Sequence, residues 1–263
     1  MSVSAMGTFP FDRGRADARQ TERSIALWAV GLVTLQAFLA GGAFLVLGDA
    51  FGFPDILREP AEVVLPRFQE NADTIRRAYY AFSLSSLLAM PIAVLLHRLA
   101  AHRDTTILTL ATAFGVASGV VQTLGFIRWP ITIPYFAETY ADPATSEATR
   151  AAIAVAYESL NRWQGMAIGE HLGWLLQGSW TLLLGAALLR HPALPRWLGA
   201  LGILLGAGLL AGTPEQFEAG GEEILGVLNA VSTTATQFWF VALAIVLLLR
   251  ARAIASKGVE DRS

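Results

Sequence analysis

Apolar blocks about as long as a hydrocarbon core is thick, roughly 30 Å or about 20 helical residues, recur six times along this chain. That feature leaves few folds open, because a backbone in lipid must satisfy its own hydrogen bonds. The blocks run from Ser24 to Leu47, Ala78 to Leu96, Ile107 to Ile127, Gly165 to Leu189, Trp197 to Gly212 and Ile224 to Leu249. The fifth is the shortest and is rich in glycine. The composition agrees, with 54% hydrophobic residues and only 15% charged. The expected fold class is all-α: a polytopic bundle of six transmembrane helices. Residues 1–23 are expected to be a disordered tail, 24–250 a single membrane domain and 251–263 a second tail. The apolar run of the first span, about 24 residues, exceeds the ~7–15 of a secretory signal and is expected to stay as an anchor.

Charge orients the spans. Arg13, Arg15, Arg19 and Arg23 precede the first, Arg98 and Arg103 lie in the turn after the second, and Arg190 and Arg196 flank the turn after the fourth. Arg250, Arg252, Lys257 and Arg262 follow the sixth. Basic residues outnumber acidic ones on that side, and the balance reverses on the other. The positive-inside rule then predicts both termini in the cytoplasm. The near-exclusive use of arginine over lysine, with abundant Ala, Gly and Leu, fits a GC-rich bacterial genome and hence a bacterial plasma (inner) membrane.

The connections differ in the same sense. Turns on the basic side are short ("HRLAAHRD", "RHPALPR") and make their flanking spans antiparallel neighbours. Those on the other side are long. Residues 50–75 carry Pro54, Pro60 and Pro66 around an amphipathic piece, and residues 130–164 carry Asp142-Pro143 with Thr145 or Ser146 as a helix cap. Short helices are expected there, covering the outer face.

Ionisable groups inside spans are costly and usually face the bundle interior. Glu170 enters the fourth span, and Glu170, Trp174, Gln177 and Thr181 repeat at helical spacing as one stripe. His171 lies about 100° round the helix from Glu170. Arg128, at the outer end of the third span, is the expected ion-pair partner of Glu170. Tyr79, Tyr80, Glu215 and Asn229 fall near the same level, with Gln36, Gln122 and Gln237 deeper. Arg128, Glu170, His171, Trp174, Asn229, Tyr79 and Glu215 are therefore the candidate ligand-binding residues. Pro91 interrupts the second span, where Ser83, Ser85 or Ser86 could satisfy the groups it frees. Gly115 with Gly119, and "GAGLLAG" in the fifth span, suit close helix packing. His97, His102 and His191 fall at the cytoplasmic ends and are expected to be solvated.

Several chemistries find no support. The chain has no cysteine, hence no disulfide and no thiolate site. A bis-histidine haem needs a second intramembrane histidine, and "GEHLG" has neither common metal-binding spacing. No metal, no cofactor and no catalytic residue is expected, and no basic stripe suits nucleic acid.

The segments "GFIRWPITIPYFAETYADPATSEATR", "GEHLGWLLQGSWTLLLGAALLR", "RWLGALGILLGAG" and "LNAVSTTATQFWFVALAIVLLLR" carry a resemblance. Through them the chain resembles a bacterial integral membrane family known as domain of unknown function 4386. The resemblance implies six spans and leaves activity open. The expected function is a non-enzymatic, multi-pass membrane protein that binds a small molecule, ion or lipid in an outer-leaflet polar pocket, to sense it or move it. The rivals are an intramembrane enzyme with Glu170 and His171 as acid and base, and a structural subunit in which Arg128–Glu170 is only a packing ion pair. The bilayer is the first expected partner, then a ligand, then a membrane protein or second copy of the chain.

Overall fold

Helices account for almost all of the chain in the structure, a computed structural model that describes residues 10–101, 105–217 and 222–260. Nine α-helices are described: α1 (Pro10–Phe51), α2 (Ala61–Glu70), α3 (Ala72–Ala100), α4 (Thr105–Ile131), α5 (Ile133–Ala141), α6 (Glu147–Leu160), α7 (Gly173–Leu189), α8 (Arg196–Gly212) and α9 (Glu222–Glu260). Short 3₁₀ turns occupy Asp55–Arg58 and Thr213–Phe217, and no strand occurs among the described residues. Six segments are long and apolar enough to cross a membrane: Gln20–Phe51, Ala72–Ala100, Thr106–Ala141, Glu147–Leu189, Arg196–Glu215 and Ile224–Arg250. The protein is an all-α, six-span membrane bundle.

The outermost helices are longer than hydropathy predicts. α1 starts at Pro10 rather than Ser24, and α9 runs past Leu249 to Glu260. Both extensions pass through stretches expected to be tails, residues 1–23 and 251–263. Proline suits a first helical position, and the Ala, Arg, Gln and Glu that follow are good helix formers. His102 lies outside the described residues.

The spans pack in a closed ring: α1 on α3, α3 on α4, α4 on α7, α7 on α8, α8 on α9, and α9 back on α1. Glycine sets the tightest crossings. A Cβ on Gly185, Gly199 or Gly206 would run into the backbone of the facing helix, so α7 and α8 touch main chain to main chain. Gly115 lies against Trp180, and Gly119 against Met90 and the Ser86 carbonyl. Trp239 packs over Gly202 and donates its indole N–H to the Leu198 carbonyl at 2.9 Å, tying α9 to α8.

Cover helices α2, α5 and α6 lie over one end of the ring, and their apolar faces form a second core with the span ends. Phe68 and Tyr79 stack on Trp129 at its centre, with Phe51 edge-on to all three and Tyr79 and Trp129 nearly parallel at 4.7 Å between centroids. Gly52, at φ +78°, makes the turn out of α1 that starts this cover. Ser146 caps α6 by accepting the Thr149 N–H at 3.2 Å. Glu158 accepts the Ala61 N–H at 3.0 Å, so α6 supplies the first-turn acceptor for α2. The opposite end, where α1 begins and α9 finishes, carries the basic turns.

Two local expectations need correction. Ser83 donates to the Tyr79 carbonyl, and Ser85 and Ser86 donate to the Phe82 carbonyl, one turn back on their own helix. They therefore do not compensate for Pro91, whose ring frees the carbonyl four residues before it. The solvated histidines are the second case. His191 is buried, and the His97 Nδ1 lies 2.8 Å from Thr112 Oγ1, each held within the helix ends.

Candidate functional site

The fourth span does not begin as an α-helix. Residues Asn161–Leu172 form a π-helix, continuous with α6 before it and α7 after it. Such widened turns are concentrated at functional sites, and a stretch of 12 residues is long for one. The wider coil lays Gly165 and Gly169 against α4. Gly169 meets Gly125 backbone to backbone, and a Cβ at Gly165 would overlap the Arg128 guanidinium. Gln164 fastens the same crossing by donating to the Leu124 carbonyl at 2.6 Å.

Arg128 is buried in that crossing. Its Nη1 donates to the Gly125 carbonyl and its Nη2 to Asn161 Oδ1 at 2.9 Å, while its Nε has no hydrogen-bond partner among the described residues. The guanidinium also sits 5.2 Å from the Trp129 ring, in range of a cation–π contact. Glu170 pairs elsewhere. Arg58 Nη2, from the 3₁₀ turn after α1, lies 3.0 Å from Glu170 Oε2 and 3.3 Å from Glu215 Oε1. No direct Arg128–Glu170 ion pair is described: the carboxylate attracts Arg128 only through space, and its direct partner is Arg58. The reason is positional: the Gly125 carbonyl and Asn161 turn Arg128 along α4, and the cover loop brings a more exposed cation to the carboxylate.

Arg58 bridges two carboxylates. Burial alone would lower its pKa, but Glu170 and Glu215 outweigh it and raise the group above the ordinary arginine value. Glu215 reaches on to α9, accepting from Asn229 Nδ2 at 3.1 Å, and Asn229 Oδ1 accepts from Thr233 at 3.3 Å. His171 Nδ1 lies 3.2 Å from the Thr213 carbonyl, which can only accept, so the proton is on Nδ1. A chain of polar contacts therefore joins the cover, the π-helix, the end of α8 and α9.

The structure divides the candidate residues. Glu170, Glu215 and Asn229 join one network, with His171 beside it on Thr213. Tyr79 and Arg128 belong to the buried crossing, and the Tyr79 hydroxyl has no hydrogen-bond partner among the described residues. Around them is a cavity of about 50 Å³, enough for water but far below the size of a small-ligand pocket. Trp174 separates this space from a larger one. Arg58 and Asn161 were not singled out from sequence. Neither sits at a helical spacing from its partners, so no pattern marks them.

The larger cavity, about 520 Å³, lies inside the ring between α1, α3, α4, α7 and α9. Gln36, Gln122, Gln177 and Gln237 line it together with Trp174 and Phe126. Gln122 Nε2 donates to Gln177 Oε1 at 2.8 Å and lies 2.9 Å from Ser118 Oγ, and Gln36 donates to the Ser85 carbonyl at 3.1 Å. The Gln237 side chain makes no such bond among the described residues. Exposed Leu45 on α1 and Phe238 on α9 form part of the wall, which opens the cavity sideways between these two spans.

The family model for Domain of unknown function (DUF4386) matches residues 29–251, from the first span to the end of the sixth. The chain belongs to this family. In this DUF4386 protein the matched region holds both cavities, the cover and all of the ring but the opening turns of the first span. No curated protein and no solved structure shows significant similarity to it. Among its described residues no group of three or more His, Asp or Glu side chains is gathered as for a metal ion.

Proposed function

We propose that the protein is a non-enzymatic membrane protein that binds a small, mainly apolar molecule or a lipid in the cavity within its ring. The observation that carries this reading is the lining: four glutamines and several aromatic rings converge from separate spans on one space of about 520 Å³. Ligand pockets have this make-up, mostly apolar with a few placed polar groups. An amide such as Gln237, without a protein partner at membrane depth, is costly unless something else meets it. The network of Arg58, Glu170, Glu215, Asn229 and His171 then acts as the roof at the covered end, and Trp174 joins roof and cavity. Arg128 and Tyr79 hold the crossing on which the roof rests. This moves the ligand from the outer polar cluster to the space beneath it. In this reading the covered end faces outward and the basic end the cytoplasm of a bacterial cell, by the positive-inside rule.

Glu170 and His171 hold different partners, Arg58 and the Thr213 carbonyl, which supports a structural duty over an acid–base pair. The test fills the cavity. Ala40 lines it on α1, and Ala40→Trp would occupy the space while leaving all four glutamines in the sequence. Native mass spectrometry of wild type is expected to find a defined adduct, absent from a folded Ala40→Trp protein. An adduct that survives in Ala40→Trp rules out this cavity as its site. A wild type with none favours the structural-subunit reading.

A further inference from the structure

A third cavity, about 630 Å³, lies at the basic end, where the start of the first span, the end of α3, the α7–α8 turn and the end of the sixth span meet. Three nitrogenous side chains, Arg98, His191 and Arg250, line it against one carboxylate, Glu22. Arg250 Nη2 donates to Glu22 Oε1 at 2.6 Å, and its Nη1 stands 3.5 Å from His191 Nε2. The Ala193 N–H donates to His191 Nδ1 at 3.2 Å. A neutral ring that accepts at Nδ1 carries its proton on Nε2. The imidazole N–H and the guanidinium N–H are then two donors facing each other on the cavity wall. Arg98 is exposed at the rim and has no side-chain partner among the described residues. Beneath these donors the wall turns apolar, at Ile25 and the buried Leu99.

One anionic oxygen set between Nε2 and Nη1 can accept from both. Basic pockets between spans at this level suit lipid phosphates, and guanidinium groups suit phosphate oxygens. The geometry points to a phosphate-binding site whose ligand is the headgroup of an anionic phospholipid. The phosphodiester sits among Arg98, His191 and Arg250, and the glycerol lies toward Ile25 and Leu99. The size of the space and its apolar wall favour a lipid over free phosphate. This site is separate from the cavity inside the ring, and neither depends on the other.

Thermal unfolding of the purified full-length protein in neutral detergent tests it, with short-chain phosphatidylglycerol, short-chain phosphatidylcholine or inorganic phosphate added. Phosphatidylglycerol is expected to raise Tm by about 3 °C near tenfold saturation, and phosphatidylcholine to leave it unchanged. Arg98→Gln removes no hydrogen bond, so its Tm without lipid stays within about 1 °C of wild type. It should lose at least half of the phosphatidylglycerol response, and Arg98→Lys should keep most of it. An equal response to phosphatidylcholine, or an undiminished response in Arg98→Gln, overturns the proposal. An equal rise with inorganic phosphate would keep the phosphate site and overturn the lipid as its source.

Discussion

Removing the guanidinium of Arg58 takes away the cation that Glu170 and Glu215 share at the covered end. Arg58 is 44% exposed, so solvent screens the loss, and Arg58→Gln is expected to cost about 1 kcal/mol. The drop in Tm should shrink as salt rises, because screening weakens the carboxylate repulsion left behind. A salt-independent drop would mean that packing, not charge, is lost. Because its folded pKa is raised, the contribution of Arg58 is complete below the ordinary arginine value. It fades only as pH rises through the shifted one, so Arg58 adds no pH dependence near neutrality. Arg128 behaves differently. It is buried, and Arg128→Met leaves Asn161 Oδ1 without its donor, a loss of about 1–3 kcal/mol that salt should not change. Comparing the two variants across a salt series separates a screened ion pair from a buried anchor.

The π-helix is the element on which the covered end depends. Its close approach to α4 requires hydrogen at Gly125, Gly165 and Gly169, where a methyl group would meet backbone or the Arg128 guanidinium. Gly169→Ala is therefore expected to cost about 1–3 kcal/mol through forced separation of the two spans. Gly41, on the first span, has open space around its missing Cβ, so Gly41→Ala should be neutral or slightly stabilising. Measuring both by thermal unfolding checks the packing argument against simple helix propensity, which predicts that alanine stabilises both helices. The turn chemistry at this scale was legible: Ser146 caps α6 as its position before "EATR" suggests. The π-helix was not, because "NRWQGMAIGEHL" has no composition that separates it from an α-helix. Its wider coil follows from what Gly165 and Gly169 press against.

For the molecule as a whole, the ring brings α1 back to α9, and the Glu22–Arg250 pair marks their junction at the basic end. The absence of cysteine makes the orientation directly measurable. Ala144→Cys, in the cover, is expected to react with a membrane-impermeant maleimide in intact cells, whereas Ala101→Cys, at the basic end, reacts only after permeabilisation. The opposite pattern would invert the topology. The six spans, their antiparallel neighbours and the helical cover could be read from sequence because each follows from local hydrophobicity and turn residues. Which polar groups meet could not. Arg58 reaches Glu170 across a separation of 112 residues, and Gln122 finds Gln177 across 55. The periodicity of the fourth span named Glu170, Trp174 and Gln177 as one stripe, yet the change from π to α at Gly173 puts Glu170 in the roof, while Gln177 lines the cavity and Trp174 the wall between them. Hydrophobic length alone determined that this protein crosses a membrane six times, since lipid leaves a backbone few alternatives. Only the closed ring decided which charges pair and where a cavity remains, because those depend on contacts between spans far apart in the chain.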